Sequence, residues 1–306
     1  MKLNRREFLK AGVGAGASLL LPSGRVFAQS GGLIQRKIPS SGESLPVIGI
    51  GTAQRYASAP TQAELGPLRE TVRRFAQLGG KVVDTAQSYG EAEPIVGKLV
   101  EELKIRDSLF IATKQRARGR EQGIEQMEVS FRNLRSSKID LFAVHNLRDM
   151  PMQLAVLREA KNAGGIRYLG ITTSQDRQYE DFEAVMKAEK LDFIQVDYAL
   201  DNRESDRRIL PLAADRGMAV MINLPLGRGR LFRAVQGRAL LSWATEFDCA
   251  SWAQFFLKYI VSHPAVTCAV PGMAKVKYVE DNIGAARGRL PDAAMRRRME
   301  QFIEAL

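Results

Sequence analysis

Residues 139–172 read IDLFAVHNLRDMPMQLAVLREAKNAGGIRYLGIT, two short apolar runs separated by a longer amphipathic stretch. The runs at residues 140–145 and 167–172 have the length and composition of buried strands, and residues 152–163 have the periodicity of a helix. A helix between two strands predicts that the strands are parallel neighbours, because a tight turn can join only an antiparallel pair.

The same alternation of strand and helix continues in both directions along the chain. Further strands are predicted at residues 47–52, 81–85, 109–114, 193–198, 219–223 and 267–270. Further helices are predicted at residues 62–78, 91–103, 122–134, 176–189, 207–215 and 251–262. Eight strands alternating with helices, without a linker, predict one α/β domain at residues 29–306 that folds as a closed (β/α)8 barrel.

An open doubly wound sheet is the alternative architecture for such a chain. That fold would place a glycine-rich turn after its first strand, and the sequence GIGT at residues 49–52 does not fit that pattern. Residues 33–46 contain a turn at Ser41 and Gly42 and predict a short hairpin ahead of the first barrel strand. We expect this hairpin to cover one end of the barrel core.

The composition of the 306-residue chain is that of an ordinary globular protein, with 45% hydrophobic and 26% charged residues. These values exclude a disordered, a collagen-like and a polytopic membrane protein. Only two cysteines, Cys249 and Cys268, are present, which excludes a disulfide scaffold and a cysteine-rich zinc module. With only two histidines, His145 and His263, we predict no metal site.

The basic side chains outnumber the acidic ones by 45 to 34, a net charge of +11. Residues 1–28 carry five basic side chains and one acidic one, so the remaining 40 basic and 33 acidic side chains leave +7. This excess would bias binding toward anionic ligands, although a solvated surface with a modest basic bias is the interpretation we favour. No basic run interleaved with aromatic residues is present, so we predict no nucleic-acid partner.

The N-terminal segment is predicted to direct export. Residues 4–10, NRREFLK, resemble the twin-arginine motif, with Asn4 where Ser or Thr is more usual. A weakly apolar stretch and the sequence VFA at residues 26–28 follow, in the order of a signal peptide. The apolar stretch is too short to span a bilayer, which needs about 20 residues. We therefore predict a signal peptide at residues 1–28, a passage through the twin-arginine translocation machinery, and a periplasmic mature protein without a stable membrane span.

Four side chains of catalytic type follow successive predicted strands. Asp84, Lys114 and His145 stand at the ends of the second, third and fourth strands, and Tyr89 lies five residues beyond Asp84. Reactive groups of a β/α barrel project from the carboxyl ends of its strands, so these four are expected to converge. Each alone is explained by an ion pair, a loop hydrogen bond or a core histidine, but their combination predicts a catalytic site.

Carbonyl reduction is the chemistry that such a set of side chains favours. A phenol has an ordinary pKa near 10, and we expect the Lys114 ammonium to lower the pKa of Tyr89 so that it exchanges protons more readily. Asp84 would keep Lys114 charged and oriented. His145 would donate a hydrogen bond to the substrate oxygen and stabilise the negative charge that develops there.

These residues lie in segments that resemble, in order and across residues 33–290, the aldo-keto reductase family. The matching segments are residues 84–93 (DTAQSYGEAE), 109–114 (LFIATK), 134–145, 165–172 (GIRYLGIT) and 271–282. The resemblance implies a (β/α)8 barrel that binds NADPH and uses Asp84, Tyr89, Lys114 and His145 as a catalytic tetrad.

The positions that the resemblance assigns to the nicotinamide differ in part from the family pattern. Thr172 and Thr173 stand where the family usually has Ser-Asn, and Gln195 matches the family glutamine of the sixth strand. Asn223 occupies the place of an aromatic residue that normally stacks on the nicotinamide, which removes an apolar contact.

The resemblance also assigns the phosphate contacts. Residues 224–230, LPLGRGR, resemble the loop on the pyrophosphate side, in which the implied contacts are Pro225, Leu226, Gly227 and Arg228. In the segment after the eighth strand, the implied contacts are Gly272, Lys275, Lys277 and Asn282, with the two lysines facing a 2′-phosphate. Tyr278 falls where the family often has arginine, so NADP(H) is preferred here and NAD(H) is an open alternative.

Two functions follow from these observations. The leading hypothesis is an exported, NADP(H)-dependent oxidoreductase that reduces a small aldehyde or ketone, with Tyr89 as general acid. The alternative is a barrel with weakened cofactor turnover that serves as a ligand- or partner-binding module.

Overall fold

The computed structural model describes residues 32–58 and 61–306. The predicted signal peptide, residues 1–28, lies outside the described residues. Within the described ranges, no helix is long and apolar enough to cross a membrane.

Ten strands and ten α-helices form the described part of the chain. The strands are β1 (Gln35–Lys37), β2 (Ser44–Pro46), β3 (Ile50–Gly51), β4 (Val82–Asp84), β5 (Phe110–Gln115), β6 (Ile139–His145), β7 (Ile166–Thr172), β8 (Phe193–Asp197), β9 (Ala219–Asn223) and β10 (Cys268–Ala269). The helices are α1 (Gln62–Gln77), α2 (Ala92–Leu103), α3 (Arg120–Asn133), α4 (Met150–Asn162), α5 (Tyr179–Ala188), α6 (Glu204–Asp215), α7 (Arg230–Ala234), α8 (Trp252–Val261), α9 (Val276–Gly284) and α10 (Ala293–Glu304).

Strands β3 to β10 form one sheet in chain order, in which every pair is parallel. Parallel bridges between Ile48 and Ala269 and between Gly51 and Gly272 join the first strand to the last. A Cβ at Gly51 would lie 2.7 Å from the Val270 carbonyl oxygen, so this closure requires glycine. The predicted (β/α)8 barrel is confirmed.

The inside of the barrel is filled by side chains at alternate strand positions. On β5, Phe110 and Ala112 belong to the interior cluster, whereas Ile111 packs toward the helices and the Thr113 hydroxyl donates to Glu93 of α2 at 2.6 Å. This alternation, inherent in a β-strand, places Lys114 on the same inward-facing row as Phe110 and Ala112.

Strands β1 and β2 pair as the predicted hairpin, with Gly42 at a positive φ of 77° in the turn. Ile38 and Leu45 of the hairpin are buried in the same cluster as the barrel interior. The Tyr168 hydroxyl, near the amino end of β7, donates to Glu43 at 2.8 Å. The hairpin therefore covers the end of the barrel opposite to the carboxyl ends of the strands, as predicted.

Candidate active site

A buried ion pair forms the base of the site. Asp84 ends β4 and Lys114 lies one residue before the end of β5, and both are buried. The Lys114 ammonium donates to Asp84 Oδ1 at 2.7 Å and to the Thr85 carbonyl oxygen at 2.7 Å. These two acceptors fix the ammonium at the carboxyl ends of the strands.

Tyr89 and His145 lie above this pair. The Tyr89 ring centroid is 5.2 Å from Lys114 Nζ, and its plane is nearly perpendicular to the His145 ring, with the centroids 6.0 Å apart. Gly90 fixes the loop that carries Tyr89, because a Cβ there would lie 2.3 Å from the Ala57 carbonyl oxygen and φ is +54°. The structure therefore brings the four predicted catalytic side chains together.

The phenol of Tyr89 stays protonated at neutral pH. Burial, the largest influence, raises its pKa above the ordinary value of 10.0, and the opposing effect of Lys114 is smaller. Lys114 lowers this pKa, as expected, but burial outweighs its charge, so the net shift is upward. Burial also lowers the pKa of Lys114, but Asp84 and Tyr89 raise it to above its ordinary value, so the ammonium stays charged.

His145 is a neutral imidazole in this environment. Burial, then the charges of Lys114 and Arg116, lower its pKa to about 3. The Ser88 hydroxyl oxygen lies 3.3 Å from His145 Nδ1. When that hydroxyl donates to Nδ1, the ring proton is on Nε2, which is then a neutral hydrogen-bond donor.

These protonation states predict the pH dependence of a reduction in which Tyr89 is the acid. The active form has a protonated phenol, and its pKa is raised above 10.0. We expect kcat to be flat through neutral pH and to fall only above 10.0, as the phenol ionises. A steady-state pH profile measures this, and a decline of kcat centred near neutral pH would contradict the assignment.

Two buried amide atoms, one on the middle residue of β8 and one on the last residue of β9, have no hydrogen-bond partner. They are Gln195 Nε2 and Asn223 Oδ1. Asn223 is held by its other amide atom, since Nδ2 donates to the Thr173 carbonyl oxygen at 3.2 Å. Buried polar atoms are rarely left unpaired, so one free donor and one free acceptor indicate a polar ligand that offers the complementary pair.

Thr172 and Thr173 are both buried at the end of β7. The Thr173 hydroxyl donates to Gln178 Oε1 at 2.6 Å and accepts from the Gln175 backbone N–H at 3.2 Å. Its hydroxyl is thus already engaged within the loop after β7. Thr172 lies beside His145 in the β6–β7 register.

A cleft of about 420 Å³ opens beside Tyr89. The predicted cofactor residues that line it are Asn223, Pro225, Leu226, Arg228, Gly272 and Lys275. The remaining ones lie elsewhere. Gly227 is buried with a φ of +56° and the Lys277 ammonium is 5.2 Å from the centroid of the exposed Tyr278 ring. Asn282 is buried within α9.

Sequence reasoning missed part of the lining of this cleft. Residues 52–56, which follow the first barrel strand, line it beside Asp84 and Tyr89. Their position after a strand end was a usable signal. Phe232 of α7 also lines the cleft and is 40% exposed. In the described residues, no group of three or more His, Cys, Asp or Glu side chains could hold a metal ion.

The fold and this cluster are those of an α/β-barrel oxidoreductase whose candidate catalytic side chains lie at the carboxyl ends of its strands. The chain belongs to the aldo/keto reductase family of oxidoreductases, and the model of that family matches residues 47–302.

Individual relatives agree with this assignment. The aldo-keto reductase YhdN of Bacillus subtilis (strain 168) is 33% identical over 149 residues, 44% of this chain and 44% of that relative, so the match spans less than half of its length. The aldo-keto reductase str7 of Strobilurus tenacellus is 27% identical over 245 residues, 67% of this chain and 73% of the relative. A solved aldo-keto reductase from Klebsiella pneumoniae in complex with NADPH superposes with a TM-score of 0.76 at 22% identity, over 89% of this chain and 95% of that one.

Proposed function

We propose that the protein is an exported, NADP(H)-dependent reductase of an aldehyde or ketone, with Tyr89 as its general acid. The observation that carries the proposal is the protonated phenol of Tyr89 beside the buried Lys114–Asp84 pair and the neutral His145. The NADPH in the related Klebsiella pneumoniae structure supports the choice of cofactor.

Each of the four side chains has one task in this reaction. NADPH, when bound, supplies a hydride to the carbonyl carbon. His145 donates a hydrogen bond to the carbonyl oxygen, and Tyr89 transfers its proton to that oxygen as charge develops. The Lys114 ammonium stabilises the phenolate that Tyr89 becomes, and Asp84 holds the ammonium at 2.7 Å from its carboxylate.

The residues at the other strand ends fit a nicotinamide cofactor. A carboxamide offers one acceptor and one donor, which Gln195 Nε2 and Asn223 Oδ1 would satisfy. Arg228 and Lys275 line the cleft on the side where the pyrophosphate is expected. With Lys277 nearby in sequence, Lys275 would also favour a 2′-phosphate, and NAD(H) is the alternative.

Loss of either free amide atom should weaken cofactor binding. We expect Gln195→Leu and Asn223→Leu each to raise the Kd for NADPH about ten-fold, the effect of about 1.4 kcal/mol. Without cofactor, Gln195→Leu should unfold at a urea concentration no lower than that of the native protein, because the Nε2 atom that it removes is unpaired. Asn162→Leu, at the exposed end of α4, is the matched control. An unchanged Kd for both Gln195→Leu and Asn223→Leu would refute the carboxamide assignment.

We further propose that residues 1–28 direct export to the periplasm by the twin-arginine route. The motif at residues 4–10 and the sequence VFA at residues 26–28 support this proposal. That route would allow a folded barrel to be exported with its cofactor already bound.

Conversion of both arginines of the motif to lysine should retain the protein in the cytoplasm. Arg5→Lys with Arg6→Lys keeps the charge, and the motif is read by a receptor rather than by electrostatics. Fractionation of cells that express the native and the double-lysine chains measures the exported pool. An undiminished exported pool in the double-lysine variant would overturn this route. Lys2→Arg, which also preserves the charge but lies outside the motif, is the control.

A barrel with weakened cofactor turnover that acts as a ligand- or partner-binding module is the second candidate function. The observation in its favour is the Thr173 hydroxyl, which is occupied by Gln178 and Gln175 rather than free for a carboxamide. Fluorescence titration with NADPH separates the two candidates, because Trp252 stacks on Phe256, which contacts the cleft residue Phe232. Saturable quenching supports the reductase, and no response supports the module.

A further inference from the structure

Two unpaired arginines lie at the mouth of the catalytic site. Arg55 is exposed and lines the same cleft as Asp84 and Tyr89. Arg116 is exposed and close enough to His145 for its charge to act on the imidazole. Across residues 32–58 and 61–306, neither guanidinium has an ion-pair or hydrogen-bond partner. Both charges are therefore available to a ligand.

Arg116 directly follows the last residue of β5, at the end of the barrel that carries the catalytic side chains. Phe110 and Ala112 face the barrel interior, and Lys114 follows on the same row. Side chains two residues apart on a strand share a face, and Arg116 comes two residues after Lys114, at the point where β5 ends. The intervening Gln115 points outward, where its Nε2 donates to Gln153 of α4 at 2.7 Å.

A third arginine, Arg148, lies three residues after His145 in the loop between β6 and α4. The Arg148 backbone N–H donates to the His145 carbonyl oxygen at 3.3 Å, and its neighbours Leu147 and Asp149 have φ values of 53° and 50°. Such positive φ values are strained for residues other than glycine and gather at functional sites. Arg148 Nε is buried without a hydrogen-bond partner, which is rare for a polar atom.

The cleft has little negative charge to offset these arginines. Its charged lining residues are Arg55, Arg228, Lys275 and Asp84, and Asp84 is already paired with Lys114. Arg228 and Lys275 lie on the loops that the proposed function assigns to cofactor phosphates. Three further arginines lie on the loops after β3, β5 and β6, namely Arg55, Arg116 and Arg148. The phosphates of the proposed cofactor do not account for their positive charges.

We infer that the carbonyl substrate carries an anionic group, a carboxylate or a phosphate, which Arg116 and Arg55 bind while the carbonyl faces Tyr89 and His145. This inference rests on the proposed reductase function and names its substrate class. The exposed Arg55 and Arg116 would raise the local concentration of such a substrate and orient it, because a guanidinium binds a carboxylate or phosphate through two parallel hydrogen bonds.

Matched pairs of aldehydes that differ only in charge test the inference on the full-length protein with NADPH. The pairs are 4-oxobutanoate with its methyl ester, 4-carboxybenzaldehyde with its methyl ester, and glyceraldehyde 3-phosphate with glyceraldehyde. We expect kcat/KM to be at least about ten-fold higher for the anion in one or more pairs, an effect of about 1.4 kcal/mol. Comparison of the first two pairs with the third distinguishes a carboxylate from a phosphate.

Variants assign the preference to the arginines. Arg116→Gln and Arg55→Gln should each lower the anion-to-neutral ratio of kcat/KM several-fold, and Arg116→Glu should reverse the preference. Arg297→Gln removes an exposed, unpaired charge from α10 and should leave the ratio unchanged. The ratio should also fall as salt increases, since exposed charges are screened.

Three results would overturn the inference in distinguishable ways. Equal kcat/KM within all pairs refutes an anionic substrate while the reductase function stands. A weaker NADPH affinity with an unchanged ratio in Arg116→Gln and Arg55→Gln assigns these arginines to the cofactor instead. No reduction of either member of any pair overturns the proposed function and this inference with it.

Discussion

Tyr89→Phe is expected to lower kcat for carbonyl reduction by about 100- to 10,000-fold, the contribution of a positioned general acid. The variant removes only the hydroxyl, and the raised pKa of Tyr89 shows that this hydroxyl carries its proton at neutral pH. The ring remains to pack beside His145, 6.0 Å between centroids, so the fold and the NADPH affinity should be retained. Steady-state kinetics and a fluorescence titration with NADPH measure both quantities.

Tyr56→Phe is the matched control for this change. Tyr56 lines the same cleft, and its hydroxyl donates to the Met273 carbonyl oxygen at 3.3 Å rather than contacting the tetrad. Its loss should cost about 1 kcal/mol of stability and leave kcat within a few-fold. If Tyr89→Phe retained kcat close to that of Tyr56→Phe, another group would be the acid.

Lys114→Met should abolish activity and lower the free energy of unfolding by about 3–5 kcal/mol, because it leaves the buried Asp84 carboxylate without its partner. Lys114 and Asp84 are both almost fully buried, with side-chain exposures of 3% and 7%. Urea denaturation measures the stability and NADPH consumption measures the activity. The loss of activity follows from the loss of the charge that stabilises the Tyr89 phenolate.

A second variant separates the two effects of Lys114. Lys114→Met combined with Asp84→Asn removes both charges and should regain most of the lost stability, but none of the activity. Lys187→Met at the α5 ion pair with Glu183, whose lysine side chain is 60% exposed, should cost no more than about 1 kcal/mol. A single Lys114→Met variant as stable as the Lys187→Met control would contradict the buried ion pair.

The sequence predicts the barrel because its information is local and periodic. Each strand is a short apolar run, as in residues 139–145, and the glycines at positions 49 and 51 permit close strand contacts at the barrel closure. The strand-end rule also places Asp84, Lys114 and His145 at one end. The predicted helices do not include α7, α9 or α10. α7 has only five residues, and α10 buries few side chains, with Met299 fully covered.

Properties that depend on contacts between distant residues do not follow from the sequence. The sign of the Tyr89 pKa shift is one, since burial by surrounding loops outweighs the Lys114 charge. The engagement of the Thr173 hydroxyl by Gln178 is another, because it depends on the turn after β7. The free atoms of Gln195 and Asn223 are a third, since a missing partner is visible only when every neighbour is placed.

Consumption of NADPH by the purified full-length protein across a panel of aldehydes and ketones tests the central claim most directly. The absorbance of NADPH is followed with and without each carbonyl compound, and the alcohol product is identified. We predict carbonyl-dependent consumption with one alcohol formed per NADPH oxidised, and its loss in Tyr89→Phe. Saturable binding of NADPH without consumption by any carbonyl compound would contradict the assignment of this barrel as a carbonyl reductase.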